Sequence, residues 1–152
     1  MSYFDTAYLL KCYVKEHGWE AVRAFACRRQ RIVCSIYGRM ELLTALHRKL
    51  REGELTRPQL LVVLRQLDVD ESEKLWEWIP LSPAIIEAVA ETFRNLPGEA
   101  FLRTGDAVHL LSARAHGLTE IYSNDRHLLR AAPHLGLAGR DLIEPSATTA
   151  HS

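Results

Sequence analysis

No apolar run in this sequence approaches the roughly 20 residues that a bilayer crossing needs. The longest, Leu60 to Leu64, is far shorter, so no membrane association is expected. The opening Met-Ser-Tyr-Phe-Asp lacks the basic-then-apolar order of a secretory signal. Cysteine is scarce: Cys12, Cys27 and Cys34 are an odd number and match no zinc spacing. Reduced thiols in a cytoplasmic protein are the expectation. Net charge is zero, which removes any general electrostatic argument for a polyanionic partner. There is no internal repeat and no Gly-, Pro- or Ser-rich linker. One domain over residues 1–144 is expected, followed by a disordered tail over 145–152 that is rich in Ser, Thr and Ala.

What is present is uneven. Between residues 23 and 57 the cations Arg23, Arg28, Arg29, Arg31, Arg39, Arg48, Lys49, Arg51 and Arg57 outnumber Glu41, Glu52 and Glu54, whereas 68–99 is acidic. Two readings stay open: two solvated helix faces, or a basic flank beside an acidic pocket. Short apolar runs alternate with segments of helical period. Strands are expected at 2–5, 31–35, 76–81, 120–123 and 141–143. Helices are expected at 6–14, 19–29, 37–51, from the Thr56 cap to about 67, 83–95, from the Thr104 cap to 116, and 126–132. Such alternation predicts a three-layer α/β/α sandwich around a mainly parallel sheet.

In a parallel sheet the strand C-termini and the N-termini of the following helices share one edge, where ligands bind. Four acids map onto that edge. Asp5 ends the first strand, Glu41 lies in the helix leaving the second, Asp106 is in the first turn of its helix, and Asp125 follows the strand ending at Ser123. Carboxylates within about 4–6 Å raise one another's pKa unless a cation sits among them. All-oxygen ligands suit Mg²⁺ or Mn²⁺, which can activate water and neutralise charge on a phosphate. Any one of these acids, Asp5 and Asp106 above all, is equally accounted for as a helix cap. Four at one edge favour phosphodiester hydrolysis.

The motifs resemble those of the PIN-domain nucleases, and more narrowly the VapC-type toxins of prokaryotic toxin–antitoxin pairs. Tyr3-Phe4-Asp5-Thr6-Ala7 is similar to the family's opening strand. Ser35 followed by Glu41-Leu42-Leu43 is similar to its second motif. The segment from Leu102 through Asp106 to Leu110 is similar to its third, and Ser123-Asn124-Asp125-Arg126-His127-Leu128 to its fourth. Gly38 and Arg39 depart from the apolar lead-in to Glu41, and Leu111 stands where alanine is usual. The resemblance implies a Mg²⁺- or Mn²⁺-dependent endoribonuclease with Asp5, Glu41, Asp106 and Asp125 as catalytic and metal-site acids. Thr6, Ser123 and His109 would support them. It also implies a cognate small antitoxin protein and a homodimer. A housekeeping RNA-processing nuclease and a non-catalytic RNA- or protein-binding module on the same fold are the alternatives.

Arg39, Arg103 and Arg126 adjoin pocket acids in sequence and would serve either as RNA contacts or as ion-pair partners. His109, three residues after Asp106, reads as a packed histidine near the pocket. A Ser123–His109 triad has no nucleophile elbow around it. Asp68, Asp70, Glu71 and Glu73 lack calcium-loop spacing and read as a solvated helix end. An aspartyl-phosphate chemistry would want an acid at position 7, which is Ala. Helix 56–67 carries more apolar residues, Leu60 to Leu64 and Leu67, than one face buries, which suits a symmetric copy of the chain.

Overall fold

The computed structural model describes residues 1–29 and 31–143; the expected tail at 145–152 lies outside the described residues. Strands β1 (Ser2–Phe4), β2 (Ile32–Ser35), β3 (Trp76–Ile79), β4 (Glu120–Tyr122) and β5 (Ala138–Arg140) form one sheet in the order β3-β2-β1-β4-β5. Every pairing is parallel. β1 and β2 are buried along their whole length, so they read as continuous apolar runs without alternation.

The connections are helical: α1 (Thr6–Tyr13) and α2 (Trp19–Ala26), then α3 (Ile36–Arg51) and α4 (Arg57–Ser72), then α5 (Pro83–Asn95) and α6 (Thr104–Ala115), and α7 (Arg126–Ala131) with a 3-10 turn at Ala132–Leu135. The helices flank the sheet as an α/β/α fold. Tyr3, Phe4, Tyr8, Leu9, Leu42, Leu110, Ile121 and Leu128 are fully buried at its centre, each side chain stabilising the fold by about 1.5–3 kcal/mol. α6 is buried continuously from Asp106 to Ala113, which fits a helix packed on several sides.

The polar residue after several strands caps the next helix. Asp5 accepts from the Tyr8 amide at 2.9 Å, Ser35 from Tyr37 at 3.2 Å, and Asp125 from His127 at 2.8 Å. The strand order reverses its direction of travel between β1 and β4, so the ends of these two strands form the switch-point crevice.

Four expectations are corrected. The last strand is Ala138–Arg140, and 141–143 instead folds over α1: Asp141 accepts from Tyr8 Oη at 2.8 Å. Arg103, rather than Thr104, is the cap residue of α6. α4 runs to Ser72, and half of its acidic end is engaged: Asp68 and Glu73 are exposed, but Asp70 accepts from Tyr13 Oη at 2.6 Å and Gln66 at 2.7 Å, while Glu71 pairs with Arg39 at 2.6 Å. The basic stretch is no continuous track. Arg31 precedes β2 at the opposite sheet edge, bonded to Glu77, and Lys49 is buried between Glu16 at 2.5 Å and Glu54 at 2.6 Å.

Candidate active site

Asp5, Glu41, Asp106 and Asp125 all line one pocket of about 310 Å³, together with Thr6, Tyr37, Arg103, Gly105 and His109. The pocket sits at the carboxyl ends of β1 and β4, covered by the first turns of α3 and α6. Each acid arrives by a different route and is held differently.

Asp5 is fixed by the sheet. Its backbone N–H donates to the Tyr122 carbonyl at 3.1 Å, and its carboxylate accepts from the Tyr8 amide and from Ser123 Oγ at 2.5 Å. Ser123 Oγ in turn accepts from the Asp125 amide at 2.8 Å. Burial pushes the Asp5 carboxyl up to about 6. The positive charge of His109 and the bonds from Ser123 and Tyr8 oppose that rise.

Glu41 is fixed by α1 and α6. It accepts from Thr6 Oγ1 at 2.5 Å and lies 2.8 Å from His109 Nε2. His109, almost fully buried, places Nδ1 2.9 Å from Tyr3 Oη, and that oxygen accepts from the Ser35 amide at 3.0 Å. Burial works against a charge on His109, yet its bonds to Cys34 and Glu41 hold its pKa up at about 10. The bond and charge of His109, followed by Thr6 and Arg103, hold Glu41 below the ordinary carboxylate value despite its burial. Gly38 makes this contact possible. A Cβ there would overlap the Cys34 sulfur and come within 2.9 Å of the His109 ring. The glycine that interrupts the apolar lead-in lets α3 approach β2 and α6.

Asp106 and Asp125 share one cation. Arg103 donates Nε to Asp106 Oδ2 at 2.9 Å and Nη2 to Asp106 Oδ1 at 3.1 Å, and also bonds Asp125 Oδ2. These two partners push the Arg103 pKa up. Against the effect of burial, the Arg103 bond and then the His127 amide hold Asp125 below the ordinary range. The acids therefore do not all raise one another: two protein cations, Arg103 and His109, relieve their repulsion. Among the described residues, no three His, Cys, Asp or Glu side chains converge closely enough to hold a metal ion as arranged. Arg103 lies where a cation between Asp106 and Asp125 would lie.

Arg39 is committed to Glu71 and does not line the pocket. Arg126 is exposed on α7. Sequence reasoning did not place Tyr3 or Tyr37 at the site; the signal for Tyr3 was its position two residues before Asp5 on a buried strand.

Residues 2–133 match the family described as the PIN domain. The chain belongs to the PIN-domain family. A solved structure, "Toxin-antitoxin complex from Klebsiella pneumoniae", is 17% identical to this PIN domain and superposes with a TM-score of 0.64, covering 95% of this chain and 100% of that one. No curated protein matches the sequence significantly. PIN domains are nucleases as a family, and this one carries its four acids in a single pocket at the switch point.

Proposed function

We propose that this PIN domain is a metal-dependent endoribonuclease acting as the toxin of a toxin–antitoxin pair, with Asp5, Glu41, Asp106 and Asp125 as its catalytic acids. The observation that carries the reading is the convergence of these acids on one pocket whose negative charge is offset, among the described residues, by His109 and a half-exposed, displaceable arginine. The donor set fits Mg²⁺ or Mn²⁺, since every acidic ligand is a carboxylate oxygen. Fit requires Arg103 to release Asp106 and Asp125. Asp5, Asp106 and Asp125 would then hold the ion, with Glu41 alongside. Bound there, the ion supplies positive charge for the attacking water and the leaving oxygen of an in-line displacement.

The chain's own residues do the rest. Ser123 donates to Asp5 and receives the Asp125 amide, so one hydroxyl sets the spacing of two acids. His109 and Thr6 aim Glu41. Arg103, once displaced, is within reach of a phosphate oxygen and forms a bidentate contact there. Single-stranded or looped RNA is the substrate class that brings a phosphate into such a recess.

The toxin reading rests on the similarity to a toxin–antitoxin complex together with the motif set. It implies a small antitoxin partner that places a basic side chain against the acids, and a cytoplasmic site of action. α4 leaves Leu61, Val62 and Val69 exposed, material for a homodimer interface. The deciding experiment is cleavage of single-stranded RNA by the purified protein with Mg²⁺ or Mn²⁺. Activity should stop with chelator and be lost in Asp5→Asn. Full activity in either case removes the metal mechanism. Sedimentation at micromolar concentration tests the dimer, which Leu61→Glu should split.

A further inference from the structure

Phe101, in the loop before α6, exposes 59% of its surface. One exposed apolar residue is ordinary, but this ring does not stand alone. It lies 4.5 Å centroid to centroid from the exposed His127 ring, with the planes inclined by 52°. Both rings are tied to the pocket rim by short chain segments. Phe101 is two residues from Arg103, hence about 7 Å at most along the backbone. His127 donates its backbone N–H to Asp125 Oδ1 at 2.8 Å. Arg126 and Arg130, both exposed on α7 and four residues apart, pair with no carboxylate among the described residues. Two aromatic faces, and two guanidinium groups with no carboxylate partner among the described residues, thus lie within a few residues of Arg103 and Asp125, which line the acid pocket.

Resting on the ribonuclease reading above, we propose that the Phe101–His127 pair is a stacking platform for an unpaired nucleobase next to the scissile phosphate. Arg126 and Arg130 hold the backbone of the same strand. Every base has a π-face, so such a platform selects for unstacked, single-stranded RNA without reading its sequence. Arg103 connects platform and pocket: a base seated on Phe101 delivers its phosphate beside the guanidinium that spans Asp106 and Asp125.

The test is steady-state cleavage of a single-stranded RNA oligonucleotide whose cut position has been mapped. Abasic positions are introduced one at a time around the cut. Wild type, Phe101→Ala, Phe101→Trp and His127→Ala are compared, with thermal melting to verify the fold. Phe101→Ala should raise KM by about five- to 150-fold, the loss of one base–aromatic stack, and more than it lowers kcat. Phe101→Trp should retain the wild-type KM. One abasic position should cost the wild type a similar factor and cost Phe101→Ala almost nothing. An unchanged KM in both Phe101→Ala and His127→Ala overturns the platform and leaves the nuclease reading standing. An equal KM rise on intact and abasic oligonucleotides overturns it as well, since the rings would then only brace the loop against α7. A wild-type protein that cleaves no RNA overturns both readings.

Discussion

Replacing Asp5 by Asn should make the metal-free protein more stable while abolishing its activity. Asp5 is buried, and its carboxyl is carried from 3.8 to about 6, chiefly by burial. The native state therefore favours the neutral acid more than the unfolded chain does. At 1.36 kcal/mol per pH unit, keeping Asp5 ionised at pH 7 costs the fold about 3 kcal/mol. Asn is uncharged and keeps an acceptor for the Tyr8 amide. Its NH₂ must face Ser123 Oγ, which already accepts from the Asp125 amide. That rearrangement takes back about 1 kcal/mol. The net expectation is about 2 kcal/mol of added stability, or a Tm rise of roughly 4–8 °C for a chain of this size. The pH dependence has a defined sign. Between about 6 and 3.8 the native state binds the extra proton, so the wild type gains on the variant as pH falls. The ionisation cost should be complete above pH 6 and gone below 3.8, where the variant falls about 1 kcal/mol behind the wild type. Urea unfolding in chelator at pH 7.5, 5 and 3.5 measures it. Adding Mg²⁺ should close the gap at pH 7.5, because the ion stabilises only the state that binds it. A variant no more stable than wild type at pH 7.5, or equally ahead at pH 3.5, refutes the reasoning.

Arg103→Ala should raise affinity for divalent cations by about tenfold in calorimetry, because the guanidinium no longer competes for Asp106 and Asp125; half of that side chain is in water, which keeps the effect modest. Weaker ion binding in that variant would refute the competition. Gly38→Ala should cost about 1–3 kcal/mol in urea unfolding and cut RNA cleavage, because the added methyl pushes against Cys34 and His109; a neutral result would mean α3 shifts freely. Glu16→Ala should cost about 3 kcal/mol, since it leaves buried Lys11 without its carboxylate and Lys49 with Glu54 alone. The Lys49 bond holds Glu16 below its ordinary 4.5 despite burial, so wild-type stability from this group should be full above that value and fade as pH falls further; the variant should lack that acid limb.

Much of the site was legible because strand ends and helix caps are local events. Asp5 and Asp125 sit where a polar residue both ends an apolar run and satisfies the first amides of a helix, and parallel topology then assembles them without knowledge of distances. Ser123 was placed beside the pocket by the family resemblance, and His109 by its spacing of three residues from Asp106 on one helix face. What escaped the sequence was decided by tertiary contact. Ala138-Gly139-Arg140 carries no strand-like apolar pattern, yet it pairs with β4, and Gly139 leaves room for Leu129, whose side chain a Cβ there would meet at 2.7 Å. The apolar Leu142 and Ile143, the better strand by composition, pack over α1 and α2 instead. Asp70 and Glu71 read as solvated because their partners Tyr13 and Arg39 lie 57 and 32 residues away. Arg103 was left undecided between substrate and ion pair because an i, i+3 spacing permits Asp106 as a partner but gives no sign of Asp125.

The pocket is built in two halves with different freedom to change. Asp5 and Glu41 are anchored to the ladder itself, one through Tyr122 and Ser123, the other through His109, Tyr3 and the Ser35 amide, so moving either would mean re-registering β1 against its neighbours. Asp106 and Asp125 face them from a helix start and a loop, linked by a side chain half in water. Drift in a lineage of such enzymes would therefore gather on the segment from Phe101 to Arg103 and on α7. New substrates could be acquired there by exchanging a few exposed side chains, while the opposite wall continued to dictate where the bond is cut.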